Sequence, residues 1–447
     1  MAPQPETYLV IGGEGFVGHR MVEMLLERYP DATVASLDLV QRHFPDQLAA
    51  TATARKWSFH SADLTSLDSL STALRQVGAT TVFHTASPWT GSGPDVCEKV
   101  NVQGTQTVVD ACVQEGVRKL VFTSSAGTVY DGNDLKNVDE RMPFPDVPID
   151  AYNVTKAKAE SIVLAANGKG GLLTVAIRPA GIFGPGDRQA IPGMMAVLKS
   201  GKTKFQVGTN ENLFDWTYVD NVVHAHLVAA ERLALTVPLS VLAERLLPVE
   251  LTIPRRQLPT SVFRPESLLA AEKELDPSFE NDTEGDEPLI AARNRYDPYF
   301  PDGLEERLGL DAATTNDGTT NNGEPALAIA GQAFFVTNGE PVPFWDFPRA
   351  LWATYNGHVA PYVVPLPAAL GLAIAGVAET VMGWLGKTPN MTRGKIVYST
   401  VDRYYNIEKA RRILGYEPIV GVEEGIKRAV AWYKANEATM QPTTAAA

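Results

Sequence analysis

The chain has 447 residues, 45% of them apolar and 20% charged, which excludes a disordered or fibrous protein and leaves a globular one with room for two or three domains. The formal charge of −13 is concentrated: residues 238–325 hold 18 acids and 8 bases, so the remainder is near neutral and offers no basic surface for nucleic acid. Two cysteines, Cys97 and Cys112, fit reduced thiols in a reducing compartment rather than a disulfide framework. The first six residues have neither a basic nor an apolar region, so no secretory signal is expected and the catalytic body is expected to face the cytosol.

In chain order, apolar runs at Tyr8–Ile11, Thr33–Leu37, Lys56–Phe59, Thr81–His84, Lys119–Thr123 and Leu173–Ile177 read as strands. Segments with helical spacing lie between them, such as Val17, Met21, Val22, Leu25 and Leu26. This alternation predicts an α/β fold, a doubly wound parallel Rossmann sheet over residues 7–178. A smaller substrate-binding part is expected from residues 179–231 and 329–437. Residues 232–328 read as an insertion, rich in proline and acids and ending in the polar tract Thr314–Glu324. It buries too little apolar surface to offset chain entropy and is expected to be largely disordered. Further on, Ala368–Leu385 is apolar but contains Glu379, Gly371, Gly376 and Gly383. It predicts a buried helix of the substrate part or, next, a helix lying in a membrane interface, ahead of a true span.

The first strand runs into Gly12-Gly13-Glu14-Gly15-Phe16-Val17-Gly18 and at once into a helix. In that setting Gly12 permits a tight turn, Gly15 lets backbone amides approach a pyrophosphate, and Gly18 lets the helix pack closely on the sheet. The amides at the start of the helix then face the phosphates. Asp38 ends the second strand, 20 residues after Gly18, placed to accept hydrogen bonds from ribose hydroxyls and to repel a 2′-phosphate. NAD is therefore expected, and Arg42, four residues on, leaves NADP open. Asp63 and Leu64 follow the third strand and suit the adenine edge; Asp63 equally suits the N-cap of the helix that follows.

Tyr152 and Lys156 stand four apart at the start of a predicted helix, so both project from one face. A free phenol is a poor base at neutral pH, and a nearby ammonium favours the phenolate. The fifth strand ends in Thr123-Ser124-Ser125, at the carboxyl edge where open α/β sheets bind ligands. Ser125 is the expected partner of the substrate oxygen, with Ser124 as the alternative. No His/Cys cluster suggests a metal.

With these residues in hand, the chain resembles the extended short-chain dehydrogenase/reductases. Within them it resembles the 3β-hydroxysteroid dehydrogenase family, and there the branch that decarboxylates 4α-carboxysterols in fungal-type sterol synthesis. The resemblance rests on His84-Thr85-Ala86-Ser87-Pro88, Val100–Thr105, Tyr152–Lys156, Arg178–Gln189, Asn212–Tyr218, Asn406–Arg412 and Leu414-Gly415-Tyr416, and covers about residues 7–231 and 329–437. It implies hydride removal from C3 of a 3β-hydroxysterol and loss of the C4 carboxylate as carbon dioxide. Tyr152 would take the hydroxyl proton, Lys156 hold the nicotinamide ribose and Ser125 orient the oxygen. Around the dinucleotide the resemblance adds Phe16, Val17, Ala86, Ser87, Tyr152, Lys156, Pro179 and Ile182 to Gly12, Gly15, Gly18, Asp38, Asp63 and Leu64. Arg188, in a Gly-Pro-Gly-Asp-Arg turn, is the expected cation for the sterol carboxylate, or else pairs with Asp187 or backbone. Peripheral attachment to the cytosolic face of the endoplasmic reticulum, and contact with other enzymes of sterol C4 demethylation, also follow as implications. Three other readings use the same scaffold. One is a steroid or triterpenoid dehydrogenase without decarboxylation. A nucleotide-sugar epimerase would need polar and basic residues where the C-terminal part is apolar. A cofactor-sensing regulator would usually lack the Tyr–Lys pair.

Overall fold

A computed structural model describes residues 6–42, 57–89, 91–243, 326–384 and 392–439. The first strand, β1 (Thr7–Ile11), sets the plan: Tyr8 and Val10 enter one apolar core, Leu9 and Ile11 the other. A strand covered on both faces has no polar side, hence its continuous apolar run. β2 (Thr33–Asp38), β3 (Trp57–Ser61), β4 (Thr81–His84) and β5 (Lys119–Thr123) follow in the same parallel sheet. After the short strand β6 (Leu135–Val138), β7 (Leu173–Pro179) pairs with β5. Helix α1 (Phe16–Arg28) buries Met21, Val22 and Leu25 on one face. α2 (Leu67–Val77), α3 (Gly104–Gln114) and α4 (Ala151–Ala165) cover the other.

The substrate part is built from β8 (Gly181–Phe183), α5 (Ala190–Lys199), β9 (Leu213–Phe214) and β10 (Trp216–Tyr218), with α6 (Val219–Arg232) leading back to the main sheet. There α6 lays Val223, Leu227 and Ala230 on the same face as α1. Beyond the insertion, β11 (Ala333–Val336) pairs parallel with β7 and completes a seven-stranded sheet of order β11-β7-β5-β4-β1-β2-β3. This corrects the expected boundary at residue 329. All four residues of β11 are buried, and they satisfy the outer hydrogen-bonding edge of a core strand. β12 (Val342–Pro343) and β13 (Arg403–Tyr405) join a second sheet of order β12-β9-β13-β6. α7 (Asp346–Asn356) and α9 (Val422–Asn436) pack around Phe183, Trp216 and Tyr218.

The insertion has an ordered neck. Thr236–Pro238 pairs antiparallel with Ala326–Ala328, so these residues are strand rather than loose chain. The expectation for its interior falls outside the described residues. α8 (Ala368–Trp384) also differs from the first expectation, a buried helix. Ala375 is enclosed beside Val207 and Ile396, yet Leu370, Ile374, Val377, Val381 and Trp384 are 42–84% exposed. Their spacing puts them on one stripe. Among the described residues, no helix is long and apolar enough to cross a membrane.

Candidate active site

The glycine turn has the shape its sequence implies. Gly12 adopts φ +83°, and a Cβ there would stand 2.6 Å from the backbone nitrogen of Ala86. A Cβ at Gly18 would fall 2.1 Å from the Gly12 carbonyl oxygen and 2.7 Å from Thr85 Oγ1. Helix α1 starts after Gly15 without a side-chain cap and without an acid in its first turn, which leaves its leading amides for an anion. Phe16 and Val17 turn partly toward the substrate part, and Phe16 lies against Gly186. These features fit a dinucleotide pyrophosphate.

At the end of β2, Asp38 Oδ2 accepts from the Glu14 amide at 3.3 Å and Oδ1 from the Leu39 amide at 2.8 Å. Glu14 is a second carboxylate at this corner, buried, with Oε2 accepting from the Arg42 amide at 2.8 Å. Sequence reading passed over Glu14 because it sits inside the glycine motif. Asp63 accepts from the Thr65 amide and hydroxyl at 2.9 and 2.8 Å, and the amide above all holds its pKa down. Ser66, not Asp63, caps the following helix. Leu64 lies directly over Gly104, where a Cβ would come within 1.9 Å of Leu64 Cδ1.

The catalytic helix is fixed at its N-terminus. Asp150 caps α4 by accepting from the Asn153 amide at 2.7 Å and from Asn153 Nδ2 at 3.1 Å. Asn153 Oδ1 faces Gly127, where any side chain would collide with it. Ser125 Oγ accepts from the Gly127 amide at 3.0 Å, so helix start and serine turn are locked together. This places Tyr152 on α4 beside the tip of β5.

The phenol's hydrogen-bonding neighbour is Ser87, which continues to Asn101 Oδ1 at 3.0 Å; Asn101 Nδ2 donates on to Thr155 at 3.0 Å. Burial raises the Tyr152 pKa, Ser87 pulls it down, and Asp150 and Cys97 add to the rise. Ser87 was expected near the dinucleotide, but its link to the phenol was not foreseen. Asn101 lies on a π-helical turn, Glu98–Gln103, which carries no recognisable signal in sequence.

Lys156 lies one turn below, fully enclosed, where its amine donates to the Thr123 carbonyl at 2.5 Å and sits 4.3 Å from the Phe122 ring centroid. Burial pushes its pKa down to about 7, against the pull of Glu160. In this geometry the amine is engaged by the end of β5. Two histidines, His84 and His226, flank it, neutral through burial first, with pKa values pushed down to about 3 and about 4. They bond Thr105 and Thr123, at 3.0 and 2.7 Å.

Of the two serines, Ser124 points away. Its hydroxyl is enclosed and donates to Glu160 Oε2 at 2.6 Å. Glu160 in turn holds Arg178 through Nε at 2.9 Å and Nη2 at 2.5 Å. This corrects the alternative role for Ser124: a hydroxyl consumed by a buried ion pair cannot orient substrate. Pro179 and Ile182 follow Arg178 on β7 and β8, Pro179 enclosed opposite Val336 and Ile182 half-buried. Arg188 is exposed, and Asp187 accepts from the amides of Gln189, Ala190 and Ile191, at 2.7–3.1 Å. Among the described residues, no group of His, Cys, Asp and Glu could hold a metal.

Residues 9–246 match the 3-beta hydroxysteroid dehydrogenase/isomerase family. Over 430 residues the chain is 35% identical to the sterol-4-alpha-carboxylate 3-dehydrogenase, decarboxylating, of Saccharomyces cerevisiae, covering 96% of this chain and 97% of that one. The mouse protein of that description is 32% identical over 425 residues, 94% of this chain and 89% of its own. Among solved structures, the dTDP-glucose 4,6-dehydratase of Bacillus anthracis in complex with NAD is similar at TM-score 0.58, with 15% identity over 98% of this chain and all of that one. A UDP-glucuronic acid 4-epimerase of Bacillus cereus in complex with NAD gives TM-score 0.57 and 16% identity over 96% and 99%. These two likenesses concern the fold.

Proposed function

The chain belongs to the 3-beta hydroxysteroid dehydrogenase/isomerase family, and from that premise we propose that it oxidises the 3β-hydroxyl of a 4α-carboxysterol with loss of the carboxylate as carbon dioxide. The observation that supports the reading is the clamp of Asp150, Asn153 and Gly127, which ties the start of the helix carrying Tyr152 to the turn that Ser125 opens. Near end-to-end likeness to decarboxylating dehydrogenases supplies the substrate class. When bound, the nicotinamide supplies the acceptor for the C3 hydride.

The residues do the rest. Tyr152 takes the hydroxyl proton, and Ser125 holds the oxygen against it. Ser87 and Asn101 keep the phenol from drifting. Lys156 turns from Thr123 to the nicotinamide ribose, and its amine, with a pKa near 7, gains charge beside a phenolate. The new C3 ketone stands β to the carboxylate and draws in the electron pair of the breaking C4–carboxyl bond. Carbon dioxide leaves and the enolate takes a proton, with no further catalytic group. Incubation with a 4α-carboxysterol and NAD tests this: NADH and carbon dioxide should form in equal amounts, and NADH without carbon dioxide would sink the decarboxylating reading.

The cofactor we infer is NAD. Asp38 and Glu14 gather two carboxylates at the end of β2, and their charge would disfavour a 2′-phosphate bound at this corner. Replacing Asp38 with Ser should lower the NAD-to-NADP ratio of kcat/KM by at least about tenfold, and an unchanged ratio would overturn the assignment.

For a substrate held in a bilayer, the α8 stripe gives the enzyme a place to dock on the membrane, consistent with the cytosolic face of the endoplasmic reticulum. Beside it, Phe205 opens the strand pair that leads into the helix and Tyr362 lies just before that pair's second strand; they are 43% and 53% exposed, with Lys204 over both rings. An apolar row ending in tryptophan, with a lysine alongside, suits a headgroup boundary. Carrying Val377→Glu and Trp384→Glu together should weaken binding to phosphatidylcholine/phosphatidylserine vesicles by at least about tenfold, because each apolar side chain buried is worth about 1.5–3 kcal/mol. Equal sedimentation of the two proteins with vesicles would remove this role.

A further inference from the structure

One cation of the second sheet is surrounded by aromatic rings. Arg403 opens β13, and its guanidinium carbon lies 4.1 Å from the ring centroid of Tyr130, 4.9 Å from that of Tyr398 and 5.5 Å from that of Phe214. Among the described residues none pairs a carboxylate with it, and its buried Nε has no hydrogen-bond partner. The hydroxyl of Tyr130, a residue only 3% exposed, is likewise unpartnered. A half-buried guanidinium whose Nε is cut off from any partner, beside an unpartnered phenol, suits a third, negatively charged group.

This cage borders the active site. Tyr405, two residues along on the same face of β13, bonds Arg403 and donates its hydroxyl to the Ala126 carbonyl at 3.3 Å, next to Ser125. Tyr130 closes the 3-10 turn that Ser125 opens. The ring of Phe214 lies against Gly181, two residues beyond Pro179. Arg403 thus stands behind the turn opened by Ser125 and the segment that follows Pro179.

We propose that Arg403, with Tyr130, receives the 4α-carboxylate of the sterol and so separates carboxylated from neutral 3β-hydroxysterols; this rests on the sterol reading above. The carboxyl group is attached to the carbon next to C3, so it must be met at the wall of the serine turn. Arg188 is solvent-exposed on the turn before α5, whereas Arg403 is partly buried among aromatic rings, where an ion pair is screened less. A guanidinium also presents two parallel N–H groups to a carboxylate.

The test compares a 4α-carboxysterol with the 3β-hydroxysterol of the same skeleton lacking the carboxyl, each as substrate or as competitive inhibitor. For Arg403→Gln, KM for the acid should rise about 10- to 100-fold, the size of a lost charge-assisted hydrogen bond, while the constant for the neutral sterol stays within about twofold. Arg403→Lys, which keeps the charge and loses the fork, should fall between, and Arg188→Ala should behave as wild type. An unchanged KM for the acid, or an equal loss on both sterols, would overturn the assignment. Should Arg403→Gln yield no folded protein, Tyr130→Phe carries the same comparison, with a smaller selective loss expected and no selectivity overturning the proposal. A wild-type enzyme that does not turn over the acid would instead defeat the sterol reading itself.

Discussion

Replacing Tyr152 by phenylalanine lowers kcat by about 10²–10⁴-fold, the usual worth of a positioned acid–base group, and leaves NAD affinity within about twofold. The split follows from the architecture. In the proposed binding mode the glycine turn, the leading amides of α1 and Asp38 would hold NAD, and none of these has a contact with the phenol among those described. The ring of Tyr152 remains in place after substitution, since the Asp150 cap and the Asn153–Gly127 contact fix the helix start independently of the hydroxyl. Fluorescence titration with NADH and a progress curve on the carboxysterol separate the two quantities. If the variant keeps more than about a tenth of wild-type kcat, another group carries the proton and the mechanism fails.

The second large effect lies behind the site. Glu160→Ala should destabilise the protein by about 3–5 kcal/mol, because it leaves Arg178 buried without its anion. Glu160 is fully enclosed and Arg178 is 5% exposed, so water cannot replace the lost partner. The Ser124 hydroxyl loses its acceptor in the same step, and Arg178 Nη1 already has no partner among the described residues. Glu160 also raises the pKa of Lys156, so its removal moves that pKa further down. Urea unfolding followed by tryptophan fluorescence gives the difference. A value within about 0.5 kcal/mol of wild type would mean that Arg178 is not left uncompensated, and would overturn the prediction.

Much of the main sheet was readable in advance because its strands are covered on both sides. Thr81–His84 and Lys119–Thr123 have the predicted limits, and the other early strands differ by one or two residues at one end or, for Trp57–Ser61, at both. The glycine turn was legible for a different reason: Gly12 and Gly18 occupy positions that no other residue fits. The misplaced strand, β11, is separated from β7 by the whole acidic segment, and pairing over that distance leaves no local trace. α8 was misjudged because apolar residues occupy both its faces, so the exposed row at Leu370, Ile374 and Val377 gives no contrast to read. At the site, Tyr152, Lys156 and Ser125 announce themselves by spacing and by position at a strand end. The roles of Ser87, Ser124 and Arg403 depend on neighbours far along the chain.

The late arrival of β11 bears on how the protein is made. While the ribosome works through the acidic segment, six strands of the main sheet are already outside, and β7 forms the border of that unfinished layer. Its main-chain groups stay unmatched until Ala333–Val336 emerges. A bare border of this kind can recruit strands from neighbouring nascent chains. The many negative charges in the intervening stretch favour keeping such neighbours apart during that interval.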